Sequence, residues 1–228
     1  VVQPRRNDPS RQLSGALRKF IEPTQNFQML ILDGSGNIDA LGTECGMSVI
    51  DKISSQNLKD AYWYVMGRHA PGHLPRRSDL DPIEMKEWLS NIELLDVINQ
   101  GETFRYRIAG DAIERIFHSR MHGRLLEDVF HGAVLEFKIL MFRRCIQHGT
   151  IILSNDNLER GGKTLLKYER LLIPLSDDNV HFNMIFGCIY PMETHENRIV
   201  MSDPALSIIS EQLIEEAPTI SVVAGSNG

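Results

Sequence analysis

Cysteine is scarce in this chain. Its 228 residues contain three, Cys45, Cys145 and Cys188, odd in number, far apart and without a CxxC pair. That argues against a disulfide frame and for reduced thiols, so a cytoplasmic location is expected. No apolar run approaches the roughly 18 residues a membrane-spanning helix needs, and the start lacks the pattern of a secretory leader. The first residue is Val1 rather than Met, which leaves a preceding segment open. Positive charge is not in excess either. The net charge of −6 at pH 7 argues against nucleic acid as the main partner. The eight histidines lower that magnitude in acid without reversing the argument at neutral pH. Enzyme signatures are missing as well: there is no GxSxG turn, Gly-rich phosphate loop, HExxH pair or Cys–His arrangement. No catalytic residue is assigned, and an enzyme is not expected.

What is present is apolar material, 42% of the residues, enough for a folded core. Residues 1–10 read as a polar tail. Leu13, Ala16, Leu17, Phe20 and Ile21 then recur at helical spacing until Pro23. Residues 27–32 read as a strand and 33–37 as a hairpin turn. The stretch DGSGNIDALGTE at 33–44 has the look of a calcium loop, yet one register puts Ile38 where the sharp turn needs glycine. The other puts Ile31 first and Gly42 last, removing both key carboxylates, so a turn is the better reading.

Residues 54–69 form a helix with Leu58, Ala61, Tyr62, Val65 and Met66 on its buried face. Asp81, Pro82 and Glu84 supply a start signal for a helix over 82–90 that buries Ile83, Met85 or Trp88, and Leu89. That signal explains the acidic pair Asp79 and Asp81 without acid–base chemistry. Residues 92–98 are a strand. Phe104, Tyr106 and Ile108 then alternate with Arg105, Arg107 and Ala109, the period of a half-buried strand. After Gly110, Asp111 can cap a short helix with Ala112, Ile113, Ile116 and Phe117 on one stripe. Residues 123–129 are a link, 134–148 a long helix, and 151–154, 165–173 and 181–190 strands. A helix over 204–215 and a loose tail complete the chain.

Those residues carry a resemblance. RYRIAGDAIERIF at 105–117, followed by HGRLLEDV at 122–129, resembles the strand-to-helix signature of the PAS_5 (DUF1457) family of bacterial PAS-like domains. Tyr62-Trp63, the run from Leu74 to Pro82, and the run from Glu169 to Asp178 resemble further elements of that family in the right order. Together they span roughly 58–190. The resemblance implies an α+β fold, a PAS-like five-stranded antiparallel sheet with helices between the second and third strands. The expected division is an N-terminal extension (1–53), the PAS-like domain (54–191) and a C-terminal helix and tail (192–228).

The resemblance implies a sensory or signalling module in general. No kinase, cyclase or DNA-binding pattern is legible in these residues, and a protein partner is expected to carry the output. A PAS-like fold commonly encloses a cavity, here expected to be lined by Tyr106, Arg107, Ile108, Ile113, Phe117, Met141, Tyr168, Met184 and Phe186. A small effector bound there is one expectation. The other is a ligand-free adaptor, dimeric through the helix at 11–21, that works by contact through that helix and an exposed sheet face.

The polar pieces divide as follows. His118 and His122 stand four apart, but Gly123 follows and no third ligand is near, so exposed loop histidines are expected rather than a metal site. Arg120 and Arg124 have a spacing that can grip phosphate, as in cyclic dinucleotide receptors. The second half of that signature is missing, which leaves a solvated basic loop as the plainer reading. Arg105 and Arg107 point to solvent or pair with an acid, with Glu169 or Asp96 as candidate partners. The cofactor is unknown: the reactive-cysteine motif of light-sensing flavin domains is absent, and no haem or metal site is evident.

Overall fold

The computed structural model describes residues 48–70, 73–194 and 205–216. The helix expected at 11–21, the strand at 27–32 and the turn at 33–37 lie outside them. The described elements run α1 Val49–Lys52, α2 Gln56–Arg68, β1 Ile92–Ile98, β2 Thr103–Ala109, α3 Asp111–Ile116, α4 Leu126–Val129, α5 Gly132–His148, β3 Ile151–Arg160, β4 Lys163–Leu175, β5 Met184–Thr194 and β6 Leu206–Glu216.

The strands form one sheet in the order β2-β1-β5-β4-β3-β6, and every neighbouring pair is antiparallel. Among the described residues the sheet has six strands, one more than the expected five. The sixth is the segment expected as a helix over 204–215. Its Leu206, Ile208 and Ser210 alternate as a strand should. A bulge then skips Glu211, because Asp156 pairs with Ser210 while Asn155 pairs with Gln212. The extra residue turns a period of two into spacings that mimic a helix, and pairing with β3 decides the conformation.

Both faces of the sheet are buried. On the inner face, α3, α4 and α5 pack over Leu95, Phe104, Tyr106, Leu166, Tyr168, Leu172, Ile185 and Ile189. On the outer face, α1, α2 and the segment from Leu80 to Trp88 cover Ile92, Leu94, Leu171, Ile173, Met184, Phe186 and Cys188. The exposed sheet face expected for a contact adaptor is therefore covered here. The amphipathic pattern of α2 placed its buried residues well: Leu58, Ala61, Tyr62 and Val65 are all inside.

Carboxylates from the sheet fasten the outer layer. Glu169 of β4 accepts hydrogen bonds from the Ser54 and Ser55 amides at 2.8 and 2.9 Å and from the Ser54 hydroxyl at 2.8 Å. It thereby satisfies free donors at the start of α2. Glu216 of β6 does the same for α1, accepting from the Val49 amide at 2.6 Å and from the Ser48 hydroxyl.

The helix expected over 82–90 is instead a series of turns ending in a 3-10 helix, Leu89–Asn91. The start signal is spent locally. The Asp81 carboxylate accepts from the Ile83 amide two residues on, and Glu84 is drawn to the Tyr64 hydroxyl and Arg68 on α2. Met85 and Trp88 are buried as expected, whereas Ile83 is 78% exposed. Helix α5 ends at Gly149 in the left-handed region with φ of 60°, its amide donating to Cys145. A side chain there would also meet the Phe182 ring at 2.6 Å, so glycine is required twice over.

Candidate functional site

The inner face holds charged residues where its pattern calls for apolar ones. Helix α5 buries Val134, Lys138, Met141, Phe142 and Cys145 against the sheet, and Lys138 occupies the middle of that stripe with no exposed surface. In β4, Tyr168, Arg170 and Leu172 alternate on the inner face, and Arg170 is likewise fully buried. Glu93 of β1 and Asp156 of β3 complete the set at 0% and 1% exposure. Register brings them close. Glu93 lies opposite Gly187, Arg170 opposite Ser154, and Tyr168 opposite Asp156. A side chain at Gly187 would meet Glu93 Cγ at 2.5 Å, so glycine makes the room that Glu93 occupies.

Arg170 and Asp156 form a buried ion pair, Nη2 to Oδ2 at 2.8 Å. The same Nη2 reaches the Ser154 hydroxyl at 3.3 Å, and the Ser210 hydroxyl donates to Asp156. The Arg170 guanidinium also lies over the Phe137 ring. Lys138 Nζ sits among three aromatic rings, 4.6 Å from the centroid of Phe130, 4.9 Å from Phe117 and 5.7 Å from Phe142. Such faces attract an ammonium, yet they offer no hydrogen-bond acceptor of ordinary strength.

The set is incompletely satisfied. Lys138 Nζ and Arg170 Nε and Nη1 are buried without a hydrogen-bond partner, Glu93 has no cationic partner, and the Tyr106 and Tyr168 hydroxyls lie beside the Glu93 and Asp156 carboxylates. Buried polar groups are nearly always paired, and each exception costs about 1–3 kcal/mol. These groups lie together on one face of one sheet.

Electrostatics fit this geometry. Burial lowers the Lys138 pKa to about 8; Glu93 and Asp156 oppose that shift and Arg170 adds to it. Burial also works against the Arg170 guanidinium, but Asp156 and the other neighbours outweigh it and its pKa is raised. Both tyrosines are pushed well above 10, first by burial and then by a neighbouring carboxylate, Glu93 for Tyr106 and Asp156 for Tyr168. Near neutral pH both phenols therefore keep their protons and can donate.

The residues expected as cavity lining separate into two groups. Tyr106, Ile113, Phe117, Met141 and Tyr168 belong to the inner core. Met184, Phe186 and Ile108 belong to the outer one. For Ile108 the reason is a bulge: Leu95 pairs with Tyr106 while Leu94 pairs with Ile108, so Arg107 is an extra residue and the alternation changes face. Met184 and Phe186 do share a face with Cys188, as their spacing indicated, but it is the outer face. Arg107 is not lining. It is about half exposed and pairs with Asp96 at 2.7 Å, one of the two acids expected for it, while Glu169 caps α2.

Arg120 and Arg124 do not converge on a shared anion. The Arg124 guanidinium is occupied by the backbone carbonyls of Arg120 and Asp128. His118 and His122 are exposed, and among the described residues no three His, Cys, Asp or Glu side chains converge as a metal site would require.

Glu93, Lys138, Asp156 and Arg170 were not foreseen as site residues. The legible signal was a charge at a core position, Lys138 between Val134 and Met141, and Arg170 between Tyr168 and Leu172. Glu93 and Asp156 gave less, because strands buried on both faces do not alternate in polarity.

The strand order β2-β1-β5-β4-β3, with three helices between β2 and β3, defines the class as a PAS-type domain. A family profile described as PAS domain, PAS_5, matches residues 51–190, and the chain belongs to that family. Strand β6 lies beyond the matched span. No curated protein and no solved structure matches the chain. Among the described residues, no helix is long and apolar enough to cross a membrane.

Proposed function

We propose that this PAS domain is a sensory module without catalytic activity, binding a small polar effector between the inner sheet face and α3–α5 and passing its state to a protein partner by contact. The observation that supports the reading is the set of buried polar atoms without partners on that face. An effector supplying the missing donors and acceptors would complete the network, and a completed buried network is far more favourable than a partial one. The scarcity of cysteine pairs supports a cytoplasmic setting for it.

A route outward is built into β4. Arg170 belongs to the inner cluster, while its neighbour Glu169 holds the start of α2 on the outer face. A shift of this strand on binding is thereby felt by α2, whose Trp63 is 60% exposed. The same exposed tryptophan favours the second reading, a ligand-free adaptor. Gentle purification of the full chain, denaturation and mass spectrometry of the extract separates the two. A compound released in proportion to the protein is expected. An empty extract, with no stabilisation of the chain by a broad set of small metabolites, would leave the adaptor.

A further inference from the structure

The charges inside the cluster constrain what it can hold. Two acids, Glu93 and Asp156, face two bases, Lys138 and Arg170, all with essentially no exposed surface. Their formal charges cancel. A ligand of net charge would add an uncompensated ion to an interior that excludes water, and such an ion is strongly disfavoured. The unmet valences also have opposite signs at separate groups. Lys138 Nζ and Arg170 Nε and Nη1 lack acceptors, whereas Glu93 has the neighbouring Tyr106 phenol but no cationic partner. Asp156 is already engaged by Arg170 and Ser210, which leaves Glu93 as the acid without a charged partner.

We propose that the effector is a small zwitterion of net zero charge, an α-amino acid in its chemistry, with its carboxylate toward Lys138 and Arg170 and its ammonium toward Glu93. This rests on the reading of the inner face as an effector site. A neutral polyol could reach the same atoms, but it would meet each ionised group with an uncharged hydrogen bond. A zwitterion meets each with a charge-assisted one, about twice as strong. A simple carboxylate would satisfy the bases and leave Glu93 facing an added negative charge.

The test is a calorimetric titration of the full chain with matched probes: alanine, leucine and phenylalanine, their carboxylic acids without the amino group, their amines without the carboxylate, and glycerol. At least one amino acid is expected to bind saturably. Its des-amino and decarboxylated counterparts are each expected to bind about tenfold or more weakly, the factor that loss of one charge-assisted hydrogen bond gives. In Glu93→Gln the preference for the amino acid over its des-amino acid should fall by a similar factor, and Asp96→Asn, which alters an acid paired with Arg107 outside the cluster, should leave it unchanged. If Glu93→Gln does not fold, the wild-type probe series decides alone. Binding of the carboxylate, the amine or glycerol without preference for the amino acid would overturn the zwitterion while leaving an effector site in place. If no probe binds and the denatured extract is also empty, the zwitterion and the effector site fall together.

Discussion

Lys138 is the residue around which the inner face turns, because an ammonium among three phenylalanine rings is held at a cost. Glu93 and Lys138 are buried charges of opposite sign that no ion pair joins, so replacing both by neutral residues of similar size removes two desolvation costs and is expected to be neutral or stabilising by about 1–4 kcal/mol. The double variant Glu93→Gln, Lys138→Met is accordingly expected to unfold at equal or higher urea concentration than the wild type while losing the effector. Equilibrium urea unfolding with a binding assay checks both halves. A gain of stability with loss of binding marks residues kept for function.

The same lysine gives a pH signature. Its folded pKa, about 8, lies below the ordinary 10.5, so between those values the unfolded chain holds a proton the folded chain has released. Raising the pH through that window therefore favours the folded state, by at most about 1.4 kcal/mol per pH unit. Below pH 8 both states are protonated and the handicap is fully present. Wild type is thus expected to gain on the double variant between pH 8 and 10, and a difference that stays flat across urea melts at those pH values would contradict a buried ammonium.

At the scale of elements, carboxylates lent by the sheet decide where helices begin. Glu169→Ala leaves the Ser54 and Ser55 amides without their acceptor, a cap loss worth about 0.5–2 kcal/mol. Faster amide exchange is expected in the first turn of α2, with the inner face unaltered, and exchange spreading evenly through β4 would argue against the capping role. The turn from β2 into α3 is tighter still. A Cβ at Gly110 would stand 2.3 Å from the Ser90 carbonyl oxygen and 2.4 Å from that of Leu89. These are backbone atoms that cannot swing aside, so Gly110→Ala is expected to cost about 3 kcal/mol or more, read as a fall in the urea midpoint.

Elements with one clear period were legible from residues alone. The stripe of α2, the strand at 92–98 and the alternation of β2 up to Tyr106 needed no structure. Two of the misreadings share a cause in bulges, which depend on the neighbouring strand and leave no local mark. At Arg107 one moved Ile108 to the outer face, and at Glu211 another gave β6 the spacing of a helix. The polar cluster was half visible, since Lys138 and Arg170 interrupt apolar stripes. That these two, with Glu93 and Asp156, share one face follows only from sheet order and from a register set over long sequence separations.

In the whole molecule, β4 links the two layers of a sheet buried on both faces through Arg170 inside and Glu169 outside. The inner layer carries a charge-balanced set of residues with unmet valences, and the outer layer hangs from Glu169 and Glu216. The central claim is that the inner cluster holds a small effector. Native mass spectrometry of the full chain, incubated with a small-metabolite extract, tests it most directly when wild type is set beside the Glu93→Gln, Lys138→Met variant. A stoichiometric small-molecule mass increment is expected on the wild type and is expected to disappear in the folded double variant. An increment retained by the double variant, or none on the wild type, would contradict it.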